Sequence, residues 1–221
     1  MNAAVEAVKP EVNRTIQSLN SKKFTADPIA GAHFSKIVSL LSSAYKRHGF
    51  IIERALLAAL KQYPQYEVWE QRDFSVSLAA DSMVDHLIGT PTEASTVTLA
   101  YGEQKRTLQV DLFVYNRETK VLRSYEVKRG CGLHDSGKRR SILRDLLCLQ
   151  VLTKGYGESR GLEVAEAHAH IIFYYGQCSI KKPFCLVREE LDEHFAVPVI
   201  ETVEAINDYF QKQLFGILSA A

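Results

Sequence analysis

Asp111, Glu126 and Lys128 stand where two carboxylates could share a divalent cation with an ammonium group beside it. Leu108 to Tyr115 and Val121 to Lys128 are rich in β-branched and aromatic residues, and Asn116 to Lys120 between them is polar, which predicts an antiparallel hairpin. Alternation puts Val110, Leu112 and Val114 on one face of the first strand, with Asp111, Phe113 and Tyr115 on the other. In the second strand Glu126 and Lys128 share a face opposite Tyr125 and Val127. A turn centred between Glu118 and Thr119 sets Asp111 across from Glu126, with Cβ atoms roughly 5 Å apart. Like charges at that distance repel unless something cationic lies between them. A hard divalent ion with oxygen ligands fills that role.

The elements that must position this hairpin are legible to different degrees. His33 to His48 has helical periodicity, Gly49 is expected to break or bend it, and Phe50 to Tyr63 continues as helix until Pro64. On that second segment Ala59, Ile52, Leu56, Leu60 and Leu57 form an apolar arc, and Glu53 falls inside it. Near a helix start such a carboxylate is favoured by the macrodipole and can reach water; the sharper alternative aims it at a buried metal site. Tyr66 to Leu78 alternates loosely, as a strand; Ala79 to Glu93 is mixed and includes a short helix. Ser95 to Tyr101 and Arg106 to Tyr115 read as strands. After the hairpin comes the loop from Arg129 to His134, then a helix capped by Asp135 or Ser136 and running to about Lys154, with Gly155, Gly157 and Gly161 marking a loop. Ala165 to Tyr175 reads as a buried strand, Pro183 to Arg188 as another, followed by helix from Glu189. A C-terminal helix capped near Thr202 presents Val203, Ile206, Phe210 and Leu214. The expected fold is α/β, a central mixed but mostly antiparallel sheet flanked by helices. Residues 1–30 form an N-terminal helical extension and 31–221 the main domain.

Composition narrows the function classes. Apolar residues make up 46% and charged residues 24%, so the chain can bury a core and is not a disordered one. Net charge is only +1, so a nucleic-acid partner has to be sought in local clusters rather than in bulk charge. Cys131, Cys148, Cys178 and Cys185 lack paired zinc spacings, and Cys131 with His134 supplies only two ligands. Reduced thiols in a cytoplasmic protein without a membrane span are expected. Nucleophile-elbow, phosphate-loop and dinucleotide glycine patterns are absent.

Asp111, then fourteen residues, then Glu126-Val127-Lys128 resembles the PD-(D/E)XK nuclease superfamily. The helix carrying Glu53 upstream of the hairpin and the basic helix after the lysine also look like that fold, so the resemblance spans roughly Phe34 to Tyr175. Val110 stands where the superfamily pattern has Pro. The resemblance implies a restriction-endonuclease-like core that hydrolyses phosphodiester bonds. Asp111, Glu126 and the Val127 carbonyl would hold Mg²⁺, which Mn²⁺ could replace, and Glu53 would complete the shell. Lys128 would orient or help deprotonate the attacking water; a purely structural metal site would not need it.

Between Lys128 and Arg144 the cations Lys128, Arg129, Lys138, Arg139, Arg140 and Arg144 face Asp135 alone, a local excess of five, which suits phosphate contacts. Arg139 and Gln150 fall inside the stripe of Ile142, Leu143 and Leu146 and need partners if buried. Gln150 resembles the glutamine of recombination-type exonucleases of the superfamily, but Tyr156 comes six residues later, off their motif. Size and the lack of helicase motifs look most like a type II restriction endonuclease. That implies a homodimer acting on double-stranded DNA, with a cognate methyltransferase as a further partner. A repair, recombination or mobile-element nuclease of the same fold is the near alternative, and a catalytically silent DNA-binding module the distant one.

Overall fold

The computed structural model describes residues 3–21 and 23–219. The chain divides into two compact units, residues 1–62 with 192–221, and residues 63–191. In the first, α1 (Ala3–Asn20), α2 (Gly31–Leu60) and α6 (Ile200–Leu218) pack on one another, with the short α5 (Leu191–Phe195) leading into α6. The break expected at residue 30 therefore falls within a helical unit, because Val8, Val12, Ile16 and Leu19 give α1 a buried face. Gly49 does not interrupt α2, so the helix runs unbroken for 30 residues. The start of α6 is capped from outside: the Asp192 carboxylate accepts from the Val199 and Ile200 amides at 2.7 and 2.9 Å, in the place expected of Thr202. Val203, Ile206, Phe210 and Leu214 are buried as the periodicity requires.

The second unit is built on one sheet, in the order β1 (Tyr66–Val76), β2 (Arg106–Asn116), β3 (Val121–Lys128), β4 (Glu166–Phe173), β5 (Cys185–Val187). The first two pairings are antiparallel and the last two parallel, so the sheet is mixed but not mostly antiparallel. The crossover explains this: α4 (Ser136–Ser159) carries the chain from the end of β3 back to the start of β4, which obliges the two strands to run the same way. α3 (Leu78–Leu87) and a 3₁₀ turn (Pro91–Thr96) lie between β1 and β2. Ser95 to Tyr101 is not a strand beyond that turn; its Leu99 amide bonds the Val151 carbonyl of α4 instead.

Gly155 and Gly157 lie inside α4 rather than ending it. A Cβ on Gly155 would come 2.6 Å from the Leu99 carbonyl, and one on Gly157 2.6 Å from Val164 and 2.7 Å from Leu122. They are glycines because helix and neighbours touch there, and the sequence signal for a loop was a signal for close packing. α4 is fastened to the sheet by aromatic and polar contacts. Tyr156 packs on Phe113 and Phe74, accepts from Trp69 Nε1 at 3.0 Å and donates to Gln71 Oε1 at 3.0 Å.

Gln150 is buried and clamps β4: it accepts from the Ala169 amide at 2.8 Å and donates to the Ala167 carbonyl at 3.0 Å. Those two groups lie beyond the reach of β5, which pairs only Ile171 to Phe173. The side-chain amide therefore stands in for a missing strand. Gln150→Leu should cost about 1–3 kcal/mol in a urea melt, since it strands a buried donor and a buried acceptor. An unchanged midpoint would show that the clamp does not hold β4.

Candidate active site

The register of the hairpin is the one read from its turn: Leu112 pairs with Tyr125 and Phe113 with Ser124, which carries Asp111 towards Glu126. The regular ladder ends at Leu112 because the Asp111 carboxylate accepts the Val127 amide at 2.8 Å. On its other side β2 bulges. Trp69 pairs with Phe113 and Gln71 with Val110, so Asp111 and Leu112 together oppose Glu70 alone. Bulges of this kind re-aim a side chain, and here the re-aimed residue is the aspartate.

Glu126 and Lys128 form an ion pair and both line a pocket of about 140 Å³ under the N-terminal half of α4. Gln109 of β2 and Lys138, Ser141 and Asp145 of α4 supply its other polar walls, over Leu146, Leu149 and Ile171. Asp111 lies beside this pair at 8% exposure. Burial, then the neighbouring Glu126 charge, push its carboxyl up to about 6; the Val127 amide and Lys128 oppose the shift, and Glu70 adds to it. A carboxyl whose ionisation is opposed by burial and then by a second acid is a site that a divalent cation would relieve.

Among the described residues no three acids, histidines or cysteines cluster closely enough to cage a metal. The donor set that remains, Asp111 and Glu126, fits Mg²⁺, which binds through one or two carboxylates and keeps several waters. It does not suit zinc. The buried thiols are no alternative nucleophiles, since burial pushes both Cys148 and Cys185 up to about 12.

Glu53 lies on α2, half-buried, in the helical unit, while Asp111, Glu126 and Lys128 belong to the sheet unit. The macrodipole does not account for it, because α2 begins at Gly31, far upstream. Arg129 stacks over Tyr175, 5.4 Å from its ring centroid. Lys138, Arg139 and Arg140 are exposed on the first turns of α4; Arg139 lies outside the buried stripe in which the helical wheel put it.

Arg144 is committed elsewhere. It pairs with Asp85 and Asp81 of α3, so it is not a spare cation. The local charge count missed this because the acids come from sixty residues upstream. Asp81 itself is buried at 4% exposure; burial works against its ionisation, but Arg106 and Lys105 overcome it and hold the carboxyl at about 2.

Glu70 and Asp145 were not legible as site residues. Asp145 lies one residue past the basic run, and Arg106 binds it at 2.9 Å at the rim of the pocket. Glu70 sits where β1 loses strict alternation, and that irregularity was the available signal. Glu70→Gln should lower the Asp111 pKa, followed as a carboxyl resonance in an NMR titration. An unmoved resonance would remove Glu70 from the site.

Comparison with protein-family models, with curated proteins and with solved structures gives no match.

Proposed function

We propose that the chain is a Mg²⁺-dependent DNA endonuclease of the PD-(D/E)XK type, acting as a site-specific restriction enzyme on double-stranded DNA, as a homodimer. The observation that carries this is the buried, charge-strained Asp111 next to the Glu126–Lys128 pair on the adjoining strand. A structural ion pair needs only one acid for one lysine. Here a second acid is kept beside them at a cost in electrostatic energy, which is the usual condition of a functional site. A helix, the hairpin and a basic helix follow one another along the chain in the order on which the resemblance rests, which supports the same reading.

Asp111 and Glu126 would hold the ion. The chemistry such an ion would supply is polarisation of the scissile phosphate and a lowered pKa of water. Lys128 lies within reach of Glu126 and so of any phosphate seated beside it; its ammonium orients the attacking water and offsets charge that builds on the phosphorane. Ser141, Gln109 and Lys138 offer hydrogen bonds to the phosphate from the pocket walls. Gln150, by contrast, spends its amide on holding β4.

The test is incubation of purified protein with plasmid and linear DNA, with Mg²⁺ or EDTA. Discrete fragments that need Mg²⁺ are the expected result. Progressive shortening of linear DNA would instead mark an exonuclease of repair or recombination. Binding without cleavage under any divalent ion would leave a silent DNA-binding module.

No helix among the described residues is long and apolar enough to cross a membrane.

A further inference from the structure

The first turns of α4 have a second side. Lys138 and Ser141 face the reaction pocket, while Ser136, Arg139, Arg140 and Leu143 form one wall of a separate open groove of about 670 Å³. The opposite wall is the loop before β5, with Ser179, Lys181 and Lys182, and the groove is closed by the turn after α3. Its floor is apolar: Pro91, Leu143, Ile180 and Phe184.

Charge distinguishes this groove from an ordinary apolar dent. Four cations line it and no acid does. Lys182 is neutralised by Glu190, but Arg139, Arg140 and Lys181 are exposed and make no ion pair among the described residues. Arg144, only one turn further along α4, is fully engaged by acids, so the unpaired state of the other two arginines is not a general property of the helix. The walls are also fixed in place. Ser179 accepts from the His134 amide at 2.9 Å and the Gln177 amide bonds the Gly130 carbonyl at 3.1 Å, tying the loop to the exit of β3.

We propose that this groove binds an unstacked, single-stranded stretch of the nucleic-acid substrate, phosphates on Arg139, Arg140 and Lys181, sugar and base against Leu143, Ile180 and Phe184. The proposal rests on the nuclease reading for the identity of its ligand. Three uncompensated cations select a polyanion, and the floor decides which form of it. An intact duplex turns phosphates outward and keeps its bases stacked, so it gains little from a concave apolar floor, whereas a single strand can lay sugar and base faces on one. The groove lies across α4 from the reaction pocket, so a strand leaving that pocket over Lys138 would enter it. This makes a local opening of the duplex next to the cut part of substrate recognition.

The experiment is fluorescence anisotropy in EDTA, so that no cleavage occurs, with a labelled oligothymidine and a labelled hairpin duplex. It compares wild type with the double variant Arg139→Gln/Lys181→Gln. The double variant should bind oligothymidine about tenfold or more weakly, with a salt slope smaller by about 1.4, since each single-strand phosphate contact contributes about 0.7. Hairpin binding should fall less. Equal loss for both nucleic acids, or no loss, would overturn the groove as a single-strand site. Displacement of oligothymidine by an acidic, leucine-rich peptide at lower concentration than by unlabelled oligothymidine would overturn it in favour of a protein partner. The two readings fail separately. Groove-dependent binding without any cleavage sinks the nuclease alone, and cleavage with unaltered binding by the double variant sinks the groove alone.

Discussion

Glu126→Ala and Lys128→Ala should each lower the rate of DNA cleavage by about a thousandfold or more while leaving the fold intact. The asymmetry between the two effects follows from position. Both side chains are part-exposed, 28% for Glu126 and 34% for Lys128, and their pairing is the kind whose loss costs about 1 kcal/mol or less. Their place at the pocket beneath α4, next to the strained Asp111, gives them a large effect on chemistry only. Lys128→Arg should not rescue, because the planar guanidinium cannot present a compact ammonium in a pocket of about 140 Å³. Single-turnover cleavage and a urea melt on the same preparations read both quantities. Wild-type turnover in either alanine variant ends the assignment, and a large stability loss with proportionate activity loss would return the pair to a structural role.

The hairpin and its register could be read from the chain because both are local. Two β-branched runs and a short polar turn leave one pairing, which the structure has at Leu112–Tyr125, but the bulge at Asp111 and Leu112 sets Val110 in the core with Phe113 and Tyr115 rather than on one face with Leu112 and Val114. The bulge that turns Asp111 towards Glu70 is not local. It depends on β1 arriving from forty residues upstream, and the only trace in the sequence is a lapse in alternation around Glu70. Gly155 and Gly157 misled for the same reason: the contacts that require a missing Cβ come from Leu99, Leu122 and Val164, which no window around the glycines contains. Arg144 looked available until α3 supplied Asp81 and Asp85. Chemistry spaced along one hairpin was visible, whereas partners delivered by other elements were not.

Asp111 carries the clearest thermodynamic signature. Its carboxyl titrates at about 6 in the folded chain, above its ordinary value of 3.8, because burial and then the Glu126 charge disfavour the ionised form. Between those two values the folded state holds a proton that the unfolded state has given up. Stability tied to this group is therefore complete below about pH 4 and is lost as the pH rises through about 6. Asp111→Asn removes the loss, since an amide oxygen still accepts from Val127 and carries no charge. In EDTA the variant should match wild type at acid pH and exceed it by about 1–3 kcal/mol at pH 8, read from urea melts. With Mg²⁺ the order should reverse. Wild type gains stability with the ion above pH 6, less by about tenfold in affinity per pH unit below, because the carboxyl must lose its proton to bind; the variant gains nothing. A residue kept for the fold would behave in the opposite way. Asp111→Asn that is less stable than wild type at pH 8 in EDTA, or that still responds to Mg²⁺, would place the aspartate in the scaffold rather than in a metal site.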